Sequence, residues 1–154
     1  MYDISIWEYL LKAIFLCILT RIVWIDYHTK RIPNSAVLTV AAVGAVDMLL
    51  CPEMLFMERI LGMFVVSVPM LGLTLAAPGA FGGGDIKLTA AAGLMLGVRL
   101  NLLAGVLAIL IGGVYVIGLL LGKKIGRKGR IAFGPFLGLG MAVALLWGDQ
   151  ILAW

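Results

Sequence analysis

The chain has 154 residues, 63% hydrophobic and 13% charged, with a formal net charge of +4 and a mean hydropathy of +1.13. A soluble domain is about half apolar. Here the apolar residues fall in long runs, which excludes an ordinary soluble domain and points to a polytopic membrane protein. The basic residues sit in short clusters between those runs, as in cytoplasmic loops and not as on a nucleic-acid face. Cys17 and Cys51 have no CxxC partner and His28 is the only histidine, so no zinc site is expected.

A spanning helix needs about 20 apolar residues. The first run, residues 4–25, reads as a retained span and not a signal peptide, because no basic segment precedes it and no small-residue cleavage pattern follows. It carries Glu8 and Lys12 near its start and Arg21 near its end, positions from which charges snorkel or face other helices. A polar segment begins at Asp26 and closes with Ile32-Pro33-Asn34, which stops one helix and starts the next. Span two covers residues 35–50 and ends at Cys51-Pro52-Glu53. Span three covers 60–77, with a kink predicted at Pro69. Residues 78–84 form a flexible Gly-rich break, span four is short and runs from 85 or 86 to 98, and span five covers 100–121. A basic loop at 123–130 precedes span six, 133–154. Ala90-Ala91-Ala92-Gly93, Gly112-Gly113, Gly138 and Gly140 read as small residues that let helices approach closely in lipid.

The expected fold is therefore all-α, with about six transmembrane helices. Lys30 and Arg31, then Lys87, then the five basic residues of 123–130 share one side. Glu53, Glu58, Arg59, Arg99 and Asp149 share the other. The more basic side is placed in the cytoplasm, which puts both termini outside. Two spans separate Asp26 from Asp85, so both emerge on the cytoplasmic face.

Ionisable groups at membrane depth are costly and usually functional. Two carboxyls a few ångströms apart share one proton. The ionised member takes a proton from water while the protonated one polarises a scissile carbonyl. The stretch Phe81-Gly82-Gly83-Gly84-Asp85-Ile86-Lys87-Leu88 suits a substrate that arrives as an extended chain, since glycines let another backbone come close. Each residue also has a plainer reading. The glycines alone make a loop, Asp85 a helix cap, Asp26 a helix terminator and Lys87 a positive-inside anchor. Asp47, near the outer end of span two, reads as interfacial or helix-pairing, and His28 as solvated loop or rim.

The joint pattern is more specific than its parts. Ile25-Asp26 before Arg31-Ile32-Pro33-Asn34, then Gly82-Gly83-Gly84-Asp85-Ile86-Lys87, then Phe133-Gly134-Pro135-Phe136-Leu137 resembles the type IV prepilin peptidase family, GxGD-type aspartic proteases of the membrane. The resemblance covers nearly the whole chain and implies one integral-membrane domain, residues 1–154. It makes Asp26 and Asp85 the catalytic pair. Gly82 and Gly84 become the two glycines of GxGD, with Gly83 in the variable place. Lys87 is the lysine after the motif, and Pro33 and Asn34 join the substrate-facing loops. The implied reaction removes the short basic leader of prepilins or pilin-like proteins at the cytoplasmic face of a prokaryotic inner membrane, in type IV pilus assembly or protein secretion. The cut typically falls after a Gly, just before the pilin's apolar helix. Lys87 is expected to meet the acidic residue that follows the cut in many prepilins. Prepilin substrates and the lipid bilayer are the implied partners, with no cofactor; oligomeric state stays open. Longer members carry an amino-terminal zinc-binding CxxC segment linked to methylation of the product. This chain is similar to the compact form, and a peptidase without the transferase is expected.

Two other readings compete. A presenilin- or signal-peptide-peptidase-like enzyme has a Tyr before the first Asp, whereas Tyr27 follows Asp26, and its late element is Pro-Ala-Leu. A small transporter or channel component using the carboxylates as an ion or proton relay fits a broken span four, but no second half repeats it.

Overall fold

The structure, a computed structural model, describes residues 6–122 and 131–153. Among these, 86% are helical and no strand occurs. Five helices follow one another: α1 (Ile6–Thr29), α2 (Asn34–Leu50), α3 (Phe56–Ala76), α4 (Gly83–Leu121) and α5 (Gly134–Leu152). The predicted basic loop at 123–130 lies outside the described residues, as do the first five residues and Trp154.

Helix α1 runs a full turn beyond the predicted stop at Ile25, so Asp26 is helical. Its buried side chains, Leu11, Phe15, Leu19, Ile22 and Asp26, recur at three- and four-residue steps and form one stripe. The helix is closed by Lys30, whose N–H donates to the Asp26 carbonyl at 2.7 Å and whose φ of 52° lies in the left-handed region. Glycine usually fills such a closing position. Glu8 and Lys12 pair with each other at 2.6 Å.

Helix α2 starts at the Pro33 signal, with Ala36 and Val37 N–H donating to the Pro33 carbonyl. Helix α3 begins four residues earlier than expected and continues through Pro69. Arg59, expected in an outer loop, is instead buried in the first turns of α3. Its Nη1 donates to Asp47 Oδ2 of α2 at 2.6 Å and to the Leu94 carbonyl at 3.0 Å, and its Nη2 donates to the Cys51 carbonyl at 2.8 Å. Asp47 is thus the helix-pairing residue of the two alternatives. One ion pair holds α2, α3 and α4 together at the end of α2 remote from Asn34.

Helix α4 is 39 residues long and contains one non-helical residue, Gly97, at φ 67° and ψ −172°. A straight helix of that length would measure about 58 Å, nearly twice the hydrocarbon thickness of about 30 Å. The chain folds back at Gly97 instead. Asn101 Nδ2 donates to the Thr89 carbonyl at 3.1 Å, a separation that would be about 18 Å along a straight helix. The same Nδ2 donates to the Gly62 carbonyl of α3 at 2.7 Å. The two limbs, 83–96 and 98–121, correspond to the predicted spans four and five, but the break lies at Gly97 and not at Arg99, which was expected in a loop and is helical. Gly97 makes the reversal possible, since no residue with a Cβ takes that φ readily.

The limbs of α4 form the centre, packed against α2, α3 and α5. Helices α3 and α4 meet backbone to backbone: a Cβ on Gly93 would strike the Gly62 carbonyl, and one on Gly62 would strike the Gly93 carbonyl. The predicted packing role of Gly93 is realised there. Large apolar side chains point outward, including Leu49 at 77%, Leu75 at 75% and Leu121 at 80% exposure. Among the described residues α3, α4 and α5 are long and apolar enough to cross a membrane, and α2 is a shorter apolar helix. Such an exterior fits lipid, where every backbone group must be satisfied within helices.

Candidate active site

Asp26 ends the buried stripe of α1 and is 4% exposed. Asp85 begins an equivalent stripe on α4, with Leu88, Thr89 and Ala92 beneath it, and is 7% exposed. The spacing i, i+3, i+4, i+7 carries Asp85 onto the core face. Both acids therefore lie on the buried faces of their own helices, and both line one cavity of about 870 Å³. A smaller adjoining cavity of about 240 Å³ is lined by both as well.

Each carboxyl is fixed by a backbone amide. Gly134 N–H, from the turn that opens α5, donates to Asp26 Oδ2 at 2.9 Å across 108 residues of sequence. A Cβ at Gly134 would overlap that same oxygen and lie 2.8 Å from Asp26 Cγ. Glycine is therefore required at this position by close approach. Gly82 N–H donates to Asp85 Oδ2 at 3.2 Å. Asp85 is the third residue of α4 and reaches back to the residue before the helix, so the plainer cap reading is also realised.

The predicted site residues divide. Gly82 lines both cavities and Gly83 and Gly84 line the smaller. The flexible break is shorter than expected, because Gly83 and Gly84 are already helical. Gly84 is where the loop after α1 rests on α4: its Cβ would lie 2.9 Å from Ile32 Cβ. At Gly83 an added Cβ would meet nothing within 4 Å. Pro33, Asn34 and Lys87 line neither cavity. Lys87 Nζ instead donates to Asn34 Oδ1 at 3.2 Å, on the exposed surface, and joins the start of α2 to the start of α4.

Among the described residues, Lys30 is the lysine that lines both cavities with the two acids. Its left-handed backbone is the one positive φ at a non-glycine residue among the described residues. Residues held this way cluster at functional sites. The sequence signal was present but silent, since nothing local distinguishes Lys30 from Arg31. The remainder of the wall is apolar: Phe81, Phe133 and Phe136 with Ile109, Gly112, Gly113 and Val116 of the second α4 limb. Phe81 and Phe133 rings lie 5.3 Å apart, within the range of favourable aromatic pairs. His28, expected in a loop or at the rim, is exposed in the last turn of α1 and lines neither cavity; its ring is tilted against Trp24 with centroids 4.5 Å apart. Among the described residues no three His, Cys, Asp or Glu side chains are grouped to hold a metal ion. Two buried carboxyls at one cavity can move protons to and from water and an amide.

A model of the type IV leader peptidase family matches residues 13–117. The prepilin leader peptidase/N-methyltransferase of Bacillus subtilis (strain 168) is 28% identical over 141 residues, covering 92% of this chain and 57% of the relative. Its namesake in Aeromonas salmonicida (strain A449) is 28% identical over 153 residues, covering 96% and 53%. That of Legionella pneumophila is 38% identical over 80 residues, covering 47% and 25%. The chain spans about half the length of the first two relatives. No solved structure matches it significantly.

Proposed function

Because the chain belongs to the type IV leader peptidase family, we propose that it is a membrane aspartic endopeptidase that removes the short basic leader of prepilins or pilin-like proteins. Asp26 and Asp85 are its catalytic pair. The observation that carries this reading is that both acids, 59 positions apart in the chain, line the same cavity. The ionised carboxylate of the pair takes a proton from water, whose oxygen attacks the scissile carbonyl carbon. The protonated partner donates to the carbonyl oxygen. Collapse of the tetrahedral intermediate breaks the C–N bond, and the leaving nitrogen takes a proton from the pair. The Gly134 and Gly82 amides each hold one oxygen of their aspartate, which fixes the direction of both carboxyls.

The reading includes a multi-pass protein of about six membrane helices in one domain, both termini outside, with the cavity at the cytoplasmic face. Support comes from the basic residues Lys30, Arg31 and Lys87 at the cavity end. Gly82, Gly83 and Gly84 admit an extended substrate chain beside Asp85, and Lys87 with Pro33 and Asn34 braces the loops at its entrance.

The test incubates membranes containing the protein with a prepilin and follows the leader-sized mobility shift. Asp26→Asn and Asp85→Asn should each slow cleavage by about 100- to 10,000-fold, the contribution of a positioned acid or base, while the protein still inserts. Wild-type cleavage by either folded variant removes the assignment. Mass spectrometry of the product's new amino terminus reports both the cut position and any methyl group.

A further inference from the structure

We propose that Gly113 is a specificity-determining residue: it keeps open an apolar subsite for the side chain on the pilin side of the cut bond. The proposal rests on the peptidase reading above. Ile109, Gly112, Gly113 and Val116 recur at i, i+3, i+4 and i+7, so one face of the second α4 limb forms the cavity wall. The two glycines on that face differ. A Cβ at Gly112 would lie 3.2 Å from Phe133 and 3.3 Å from Phe136, so packing of α5 accounts for that glycine. A Cβ at Gly113 would meet nothing within 4 Å, although the residue is half-buried. Glycine inside a helix costs about 1 kcal/mol relative to alanine, and no neighbour among the described residues requires it at 113.

Gly113 itself lines the cavity that also holds Asp26 and Asp85, so the open space beside it adjoins the candidate site. Its lining combines the polar Asp26, Asp85 and Lys30 with the uncharged Ile109, Val116, Phe133 and Phe136, and Ile109 and Val116 lie one turn either side of Gly113 on α4. A substrate whose scissile amide sits at the acids presents its adjacent side chain to the apolar part of that lining. The residue on the leader side of the cut is a glycine in the reading above, so the apolar group available is the first residue of the pilin helix.

The experiment pairs two prepilin substrates that differ only in the residue after the cut, phenylalanine or alanine, with wild-type protein, Gly113→Ala and Gly113→Leu. Thermal unfolding in detergent accompanies each variant. In a hydrophobic pocket one methylene changes discrimination by about 10- to 200-fold. Gly113→Leu should lower the ratio of kcat/KM for the phenylalanine substrate over the alanine substrate by at least that tenfold margin, and Gly113→Ala by less. An unchanged ratio in folded Gly113→Leu overturns the proposal. If that variant does not fold, an unchanged ratio in Gly113→Ala does so. Wild-type protein that cleaves neither substrate overturns the peptidase reading itself, and this subsite with it. Wild-type cleavage with ratios insensitive to residue 113 removes only the subsite.

Discussion

Asp26 is held by a residue that no local reading connects to it. The Gly134 amide reaches its carboxylate only because the turn before α5 lies over the end of α1. Gly134→Ala would keep the amide but place a methyl group on Asp26 Oδ2, turning the carboxyl away from the cavity. A misplacement of about 1 Å can cost on the order of 100-fold in rate. We expect kcat to fall by about that factor with KM little changed, in steady-state cleavage assays on protein of wild-type melting temperature. A variant with wild-type kcat would show that the amide is incidental. Lys87 is placed differently. It lies two residues after Asp85, and a helix turns about 100° per residue. It faces the surface and Asn34 while Asp85 faces the cavity.

At the scale of helices, the third buried carboxylate separates structure from chemistry. Asp47 is 6% exposed and pairs with Arg59, itself 2% exposed, far from the cavity. Removing one partner of a buried pair leaves an uncompensated charge and costs about 3–5 kcal/mol. Asp47→Ala should therefore lower the unfolding temperature in detergent sharply. The fraction that remains folded should cleave at the wild-type kcat. Asp26→Asn should do the reverse. If Asp47→Ala is as stable as wild type, the ion pair does not hold α2 and α3 together. The hairpin of α4 depends on equally specific contacts: Gly97 gives the left-handed backbone, and Asn101 bridges α3 and both limbs.

For the whole molecule, the reversal at Gly97 sets which ends lie together. Asp85 and Val116 share the cavity, whereas Gly97 lies against Met54 and Glu58 near the α2–α3 connection. The Pro78–Gly82 loop and the loop after α2 are thus at opposite ends of the bundle. In a background of Cys17→Ser and Cys51→Ser, Ala80→Cys should react with an impermeant thiol reagent only in inside-out vesicles. Glu53→Cys should react only in right-side-out vesicles. Labelling of both from one side would contradict the proposed topology.

The amino-acid pattern alone determined the helical class, a reversal near Arg99, two residues from its actual place at Gly97, another around Pro33, and the placement of Asp26 and Asp85 at the same end of the bundle. Those follow from hydrophobic run length and from counting spans, which depend only on local composition. It did not carry the inward direction of the two acids: α1 and α4 expose large apolar side chains as well as burying them, and only packing selects the stripes that Asp26 and Asp85 continue. Tertiary structure decided the rest. Gly134 over Asp26, Arg59 buried on Asp47, Lys30 and not Lys87 at the cavity, and the open space beside Gly113 all arise where distant segments meet. The physical reason is that close approach is a relation between two backbones. A glycine needed for it, such as Gly134, has the same local signature as Gly113, where no neighbour among the described residues demands it.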